Sequence, residues 1–259
     1  MDDDSPDLID FFSFSKDNIS EIINIHNDLR RRRLATDMQY VKWNPRLAEF
    51  AANWSRQCNF NHRPLFAQYI DNTKYIGENL FATEMRQMPT LREQITDWYN
   101  EGTCFNDQTG KCDYDCTDTC THYIQLIRYD SGQVGCALSQ CSKLAGLGPS
   151  RSGIFYFLVC NYIYFGNWAR NGIFLPPYTV AENVSLLCRD CDPGTFCDAG
   201  LCRNSLPVTT TELWRTTTVA KSTLSYSDQL NQSGICNQTI THAVIAQLLL
   251  LLFLAILTE

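Results

Sequence analysis

The sequence predicts an α+β fold in which helices pack on an antiparallel sheet. Three amphipathic helical patterns come first, short β-branched and aromatic runs follow, and 13 cysteines are spread over 259 residues. Helices grouped before strands indicate segregated layers rather than alternating βαβ units. The length suits one good-sized core with appendages.

The first helix fits ISEIINIHNDLRRRRL. Ile19, Ile22, Ile23, Ile25 and Leu29 form its apolar stripe, and Ser20 or Asn18 is placed to cap it. NPRLAEFAANWSRQC gives the second, with Asn44 before an N1 proline at Pro45 and with Leu47, Phe50, Ala51 and Trp54 on one side. PTLREQITDWYNE gives the third, through Leu91, Ile95, Trp98 and Tyr99. THYIQLIRY, QVGCALSQC and GIFYFLVCNYIYF read as strands between Gly and Ser turns.

The expected organisation has five parts. Residues 1–17 are an acidic flexible segment, 18–178 the main domain, and 179–203 a cysteine-rich hinge built on CRDCDPGTFCDAGLC. Residues 204–234 are a Thr/Ser-rich stalk, and 235–259 carry the apolar tail.

A net charge of −7 argues against a general nucleic-acid binder. The run Arg30-Arg31-Arg32-Arg33 reads as a solvated helix end. So many cysteines, with no zinc-ribbon spacing, indicate disulfides and an oxidising compartment. Sequons at Asn18, Asn53, Asn183, Asn231 and Asn237 agree, with Asn53 the weakest of the internal ones because it falls on a helix. MDDDSPDLIDFFSF has no basic n-region and no apolar stretch of leader length, so a signal peptide is expected to be missing from this sequence.

The run from Ala243 to Leu257 is 15 residues long, short for a membrane-spanning helix, and no basic cluster follows it. Small residues at Ser233 and Gly234 precede a polar spacer. This fits a glycosylphosphatidylinositol signal with attachment at Ser233. Cleavage there removes Cys236 and leaves an even twelve cysteines. A short membrane helix is the other reading.

HNDLR (26–30), GENL (77–80), HYIQL (122–126) and FLVCNYIYFGNW (157–168) occur in the order of the signature blocks of the CAP superfamily, the cysteine-rich secretory, antigen 5 and pathogenesis-related 1 proteins. The chain resembles that family over about residues 20–170. The C-x2-C-x5-C-x4-C spacing of its hinge resembles the glioma pathogenesis-related protein 1-like subgroup. Thr121, Ile124, Arg128 and Tyr164 stand where the family commonly has other residues.

The resemblance implies a three-layer α-β-α sandwich with a long cleft. It carries four cleft residues onto this chain: His62, Glu78, Glu101 and His122. Two neutral imidazoles can hold a divalent transition metal, zinc being the natural candidate, and carboxylates can orient them. On the residues alone, the better fit is a structural hydrogen-bonded pair of His62 and Glu78, with Glu101 an ordinary C-terminal helix residue. His26 reads as a helix residue bonded within the fold, and His242 has no evident role.

The resemblance also implies the disulfides Cys58–Cys141 and Cys136–Cys160, and an interleaved hinge with Cys188–Cys197 and Cys191–Cys202. Cys116 with Cys120 and Cys104 with Cys112 are the expected remaining pairs, with swapped partners among these four left open. Short loops of this kind gain roughly 2 to 3 kcal/mol each from closure.

The expected function is that of an extracellular, membrane-anchored interaction protein with a His/Glu cleft and an unidentified protein or lipid ligand. A sterol or fatty-acid carrier is the alternative. A metal-dependent hydrolase ranks third, because no G-x-S-x-G elbow occurs.

Overall fold

In the computed structural model, the described residues are 4–64, 69–70, 74–84, 87–107, 109–112, 120–147 and 153–204. All lie in the first of the chain's two compact units, Met1–Ser205. In chain order the elements are β1 (Leu8–Phe12), α1 (Lys16–Arg31), β2 (Lys42–Trp43), α2 (Pro45–Ser55), β3 (Tyr69–Ile70), β4 (Lys74–Glu84) and α3 (Leu91–Asn100). After a 3-10 turn at Glu101–Cys104 come β5 (Phe105–Asn106), β6 (Lys111–Cys112) and α4 (Thr121–Ile127). The chain continues through β7 (Gln133–Cys141), β8 (Phe155–Ile163), β9 (Ala169–Arg170), β10 (Ile173–Phe174), β11 (Thr195–Asp198) and β12 (Leu201–Asn204).

The main sheet runs β1-β7-β8-β4-β3, with β2 adding to β7. Every pairing in it is antiparallel except β2 with β7. Strand β8 is central and buried at all nine positions, which is why its sequence is nearly continuous in apolar residues rather than alternating. Its side chains still separate by parity. Tyr156, Leu158, Cys160 and Tyr162 face a core built with Ile22, Ile25, Ile95, Trp98 and Ile124, from α1, α3 and α4. Phe155, Phe157 and Val159 face Ala51 and Ala52 of α2. Helices thus cover both faces, giving the three layers.

Local chemistry sets the helix starts. Ser15, rather than Ser20 or Asn18, caps α1 in a reciprocal box with Asn18. Asn44 caps α2 ahead of Pro45, and Thr90 caps α3 in a box with Glu93. Helix α2 packs closely where β7 has Gly135, since a Cβ there would lie 2.7 Å from the Asn44 carbonyl oxygen.

Four expectations are corrected. Residues 8–12 are not flexible: β1 pairs with β7, and the Arg56 guanidinium lies 3.8 Å from the Phe11 ring centre. Arg30 is not solvated but fully buried. Its guanidinium donates to the carbonyls of Gln39, Leu126, Arg128 and Tyr129. Residues 121–127 form a helix, not a strand. Buried Tyr123, Ile124, Leu126 and Ile127 serve its packed face, and a short apolar run without clear period fits a strand as well as a helix. Finally, Cys112 pairs with Cys120, which replaces both Cys104–Cys112 and Cys116–Cys120. Cys104 is itself disulfide-bonded, and Cys116 lies outside the described residues.

Cys58–Cys141, Cys136–Cys160, Cys188–Cys197 and Cys191–Cys202 are present as expected. The first joins the segment after α2 to the end of β7. The second links directly opposed residues of β7 and β8. The β11–β12 hairpin is bonded to the segment before β2: Cys202 N–H donates to the Met38 carbonyl at 2.7 Å, and Tyr40 N–H to the Cys202 carbonyl at 2.8 Å. Stalk, tail, Asn231, Asn237, Ser233, Cys236 and His242 lie outside the described residues.

Candidate functional site

The four expected cleft residues come from different layers and meet beside β4. His62 follows α2, Glu78 lies on β4, Glu101 opens the 3-10 turn after α3, and His122 is in the first turn of α4. The two imidazole centres are 6.5 Å apart. His62, His122 and Glu78 line a cavity of about 360 Å³ together with Arg63, Thr121, Phe165 and Asn167.

Each imidazole has its own carboxylate. His62 Nδ1 is 3.0 Å from Glu78 Oε1, and His122 Nδ1 is 2.6 Å from Glu101 Oε1. A carboxylate accepts, so Nδ1 of each neutral ring carries the proton and Nε2 keeps its lone pair. That is the tautomer a metal needs at Nε2.

The Glu78 side chain is 1% exposed and that of His62 56% exposed. A carboxylate so buried requires donors. Glu78 receives them from His62 Nδ1, from the Arg63 backbone N–H at 3.0 Å, and from Asn161 Nδ2 at 3.3 Å. Asn161 sits opposite Glu78 in the β4–β8 register. Glu101 also accepts from the backbone N–H groups of His122 and Tyr123, at 3.1 and 3.3 Å, and so closes the start of α4. Asn79 Nδ2 donates to the His122 carbonyl at 3.0 Å, and the Trp98 ring centre lies 6.1 Å from the His122 ring.

Asn79, Asn161 and Trp98 were not foreseen as parts of this site. An asparagine inside the otherwise apolar run FYFLVCNYI was the available signal for Asn161. Nothing comparable marked Trp98, which reads as an ordinary core residue. His26 behaves as expected: its Nδ1 bonds the Ile22 carbonyl within the fold.

Among the described residues, one group of three potential metal ligands converges within 4.8 Å: Cys188, Cys191 and Cys202. All three are held in disulfides, so they are not ligands. The histidine cluster offers two imidazoles backed by two carboxylates, a donor set that fits a weak, open divalent site and not a closed four-ligand one.

A match to the cysteine-rich secretory protein family, CAP, spans residues 23–162. The chain belongs to the CAP family. GLIPR1-like protein 1 of Homo sapiens is 35% identical over 190 residues, 71% of each chain. The Mus musculus protein of that name is 34% identical, over 71% of this chain and 72% of its own. Peptidase inhibitor 15 of Homo sapiens is 29% identical over 73% of this CAP chain. Among solved structures, BmVAL-1 matches with a TM-score of 0.55 at 20% identity, covering 74% of this chain and 97% of its own. NaASP2 with Zn2+ matches at 0.54 and 20%, covering 73% and 96%. At these identities the structural matches speak for the fold.

Proposed function

We propose that this CAP protein is an extracellular interaction protein whose cleft binds a divalent metal, zinc the natural candidate, through Nε2 of His62 and His122. The observation that carries the reading is the separate carboxylate on each Nδ1. Glu78 and Glu101 fix both tautomers in the form that leaves Nε2 to a ligand. With two protein ligands, the remaining coordination positions are open to water or to a donor from the partner. That a related fold, NaASP2, was solved with Zn2+ is in keeping with this.

The same imidazole–carboxylate pairing serves nucleophilic catalysis when a hydroxyl or thiol occupies Nε2. Extracellular placement is supported by the disulfides and by the sequon at Asn183, whose side chain is exposed. Anchorage is proposed on the tail: an apolar run of 15 residues after Ser233 and a polar spacer fits a lipid-anchor signal.

Isothermal titration of the secreted protein with zinc tests the site. One zinc per chain is expected, with at least tenfold weaker binding in His62→Ala and in His122→Ala. Binding that is unchanged in both variants overturns the proposal. Phospholipase release from cells separately tests the anchor.

A further inference from the structure

A second cavity, of about 430 Å³, lies where the β11–β12 hairpin meets the segment before α2. None of its lining residues is shared with the histidine cleft. Its volume falls in the range of small-molecule sites.

Two glutamines give this cavity its chemistry. Gln39 Nε2 donates to Asp192 Oδ2 at 3.1 Å, which holds the amide by one end. Its Oε1 has no hydrogen-bond donor among the described residues, and it lies beside Gly132, where a Cβ would approach it to 2.7 Å. Gln133 is held the opposite way. Its Oε1 accepts from Asn44 Nδ2 at 2.7 Å, which leaves its Nε2 hydrogens without an acceptor among the described residues. The cavity is thus lined by one pre-oriented amide acceptor and one pre-oriented amide donor, on adjacent stretches of chain. Trp43, Tyr40 and Tyr164 also line the cavity, the Tyr40 ring with the Arg203 guanidinium 4.4 Å from its centre.

Each sugar hydroxyl is both a donor and an acceptor. A pair of neighbouring hydroxyls can therefore satisfy Gln39 Oε1 and Gln133 Nε2 together, while the C–H faces of the ring meet aromatic carbon. A long-chain lipid does not suit a predominantly polar lining. A polyanion does not suit a site whose lining charges are one lysine, Lys42, and one aspartate, Asp130. We propose that this cavity is a binding site for a neutral saccharide, with Gln39 and Gln133 as its hydroxyl-reading residues and Trp43 as its stacking surface.

The test uses the full secreted chain, enzymatically deglycosylated so that its own glycans do not compete. Methyl α-D-mannopyranoside, methyl β-D-galactopyranoside and N-acetylglucosamine are each titrated to 50 mM. Binding is followed by saturation-transfer NMR and by shifts of the Trp43 indole and glutamine side-chain amide signals. Saturable binding of at least one sugar is expected, weakened at least fivefold by Gln39→Leu and by Gln133→Leu, with His62→Ala leaving it unchanged. Thermal melting of both glutamine variants verifies that they are folded, and Gln133→Glu, which removes the donor while keeping the shape, serves if either is not. No saturation transfer from any of the three sugars overturns the proposal. So does transfer that survives the glutamine substitutions.

Discussion

Glu101 grips His122 at two points: Oε1 accepts from the imidazole Nδ1 at 2.6 Å, and Oε2 from the same residue's backbone N–H at 3.1 Å. One carboxylate therefore orients the ring and closes the first turn of α4, with Tyr123 N–H as a third donor. Removing it should cost stability and ligand affinity together. Glu101→Ala is expected to lose about 1–3 kcal/mol, because buried N–H groups lose their acceptor. Zinc affinity is expected to fall about 10- to 100-fold, the usual penalty for losing an orienting carboxylate. Glu101→Gln, which retains one oxygen, should fall between. Denaturant unfolding and zinc titration of the same preparations check this, and unchanged zinc affinity in Glu101→Ala would count against the orienting role.

The disulfides should rank by the loop each one closes. Cys58–Cys141 spans 83 residues of sequence and Cys112–Cys120 spans 8. In the loop-entropy picture their removal costs about 4–5 and about 2–3 kcal/mol respectively. Paired alanine substitutions, measured by thermal unfolding, should give the larger loss for Cys58 and Cys141, whose buried sulfurs also leave a void between α2 and β7. Peptide mapping under non-reducing conditions should recover a Cys112–Cys120 link. Recovery of Cys104–Cys112 instead would contradict the structure.

Much of this molecule was legible before its coordinates, for physical reasons. QVGCALSQC and FYFLVCNYI coincide with β7 and β8 because a strand covered on both faces has an unmistakable apolar run. The residues of the cleft tetrad, which sit together beside β4, came through the family resemblance, since no local pattern links His62 to a glutamate sixteen residues on. Strand β4 went unread because Gly77, Glu78 and Asn79 interrupt its alternation: Asn79 and Glu78 serve the two histidines, and Gly77 leaves room for Gln125. β1 was hidden by its acidic neighbours. The charge of Arg30, one of four consecutive arginines, points to solvent, whereas the helical period places it beside buried Asn27 and His26.

Arg30 should be among the most sensitive positions outside the cleft. Five N–H···O contacts of 2.8–3.1 Å tie it to four carbonyls on two segments, Gln39 and residues 126–129. Burial is the main influence on its pKa and pulls it down to about 10, with Asp130 the leading opposing charge. It therefore remains a cation at neutral pH. Arg30→Met takes a donor from each of those carbonyls, of which Arg128 and Tyr129 keep the Ser131 and Gln39 backbone N–H groups, and should cost about 3–5 kcal/mol. Arg30→Lys cannot reproduce a five-donor fork and should recover only part of that. Chemical unfolding at pH 7 measures both, and a loss under 1 kcal/mol for Arg30→Met would show that the network is not what joins α1 to the 126–129 segment.

His26 should make the protein acid-sensitive in a defined window. Its Nδ1 lies 2.8 Å from the Ile22 carbonyl, which can only accept, so Nδ1 carries the proton and Nε2 accepts from the Tyr162 hydroxyl at 3.0 Å. Protonating Nε2 would force the Tyr162 hydroxyl to turn from donor to acceptor and would place a charge inside the core. Burial is the main cause that lowers the folded-state pKa to about 4; the Ile22 bond opposes it, and nearby Arg30 adds to it. An unfolded histidine titrates near 6.5, so between these values the unfolded chain binds the extra proton and the folded chain does not. Stability from this group is then complete above about pH 6.5 and is lost as pH falls toward 4, by roughly 3 kcal/mol at most. His26→Gln cannot take up that proton. It should begin less stable at pH 7, having lost one or both hydrogen bonds, but should lose less between pH 7 and pH 4 than the parent. Unfolding free energies at four pH values across that window, with the disulfides intact, compare the slopes, and parallel slopes would remove His26 as the source.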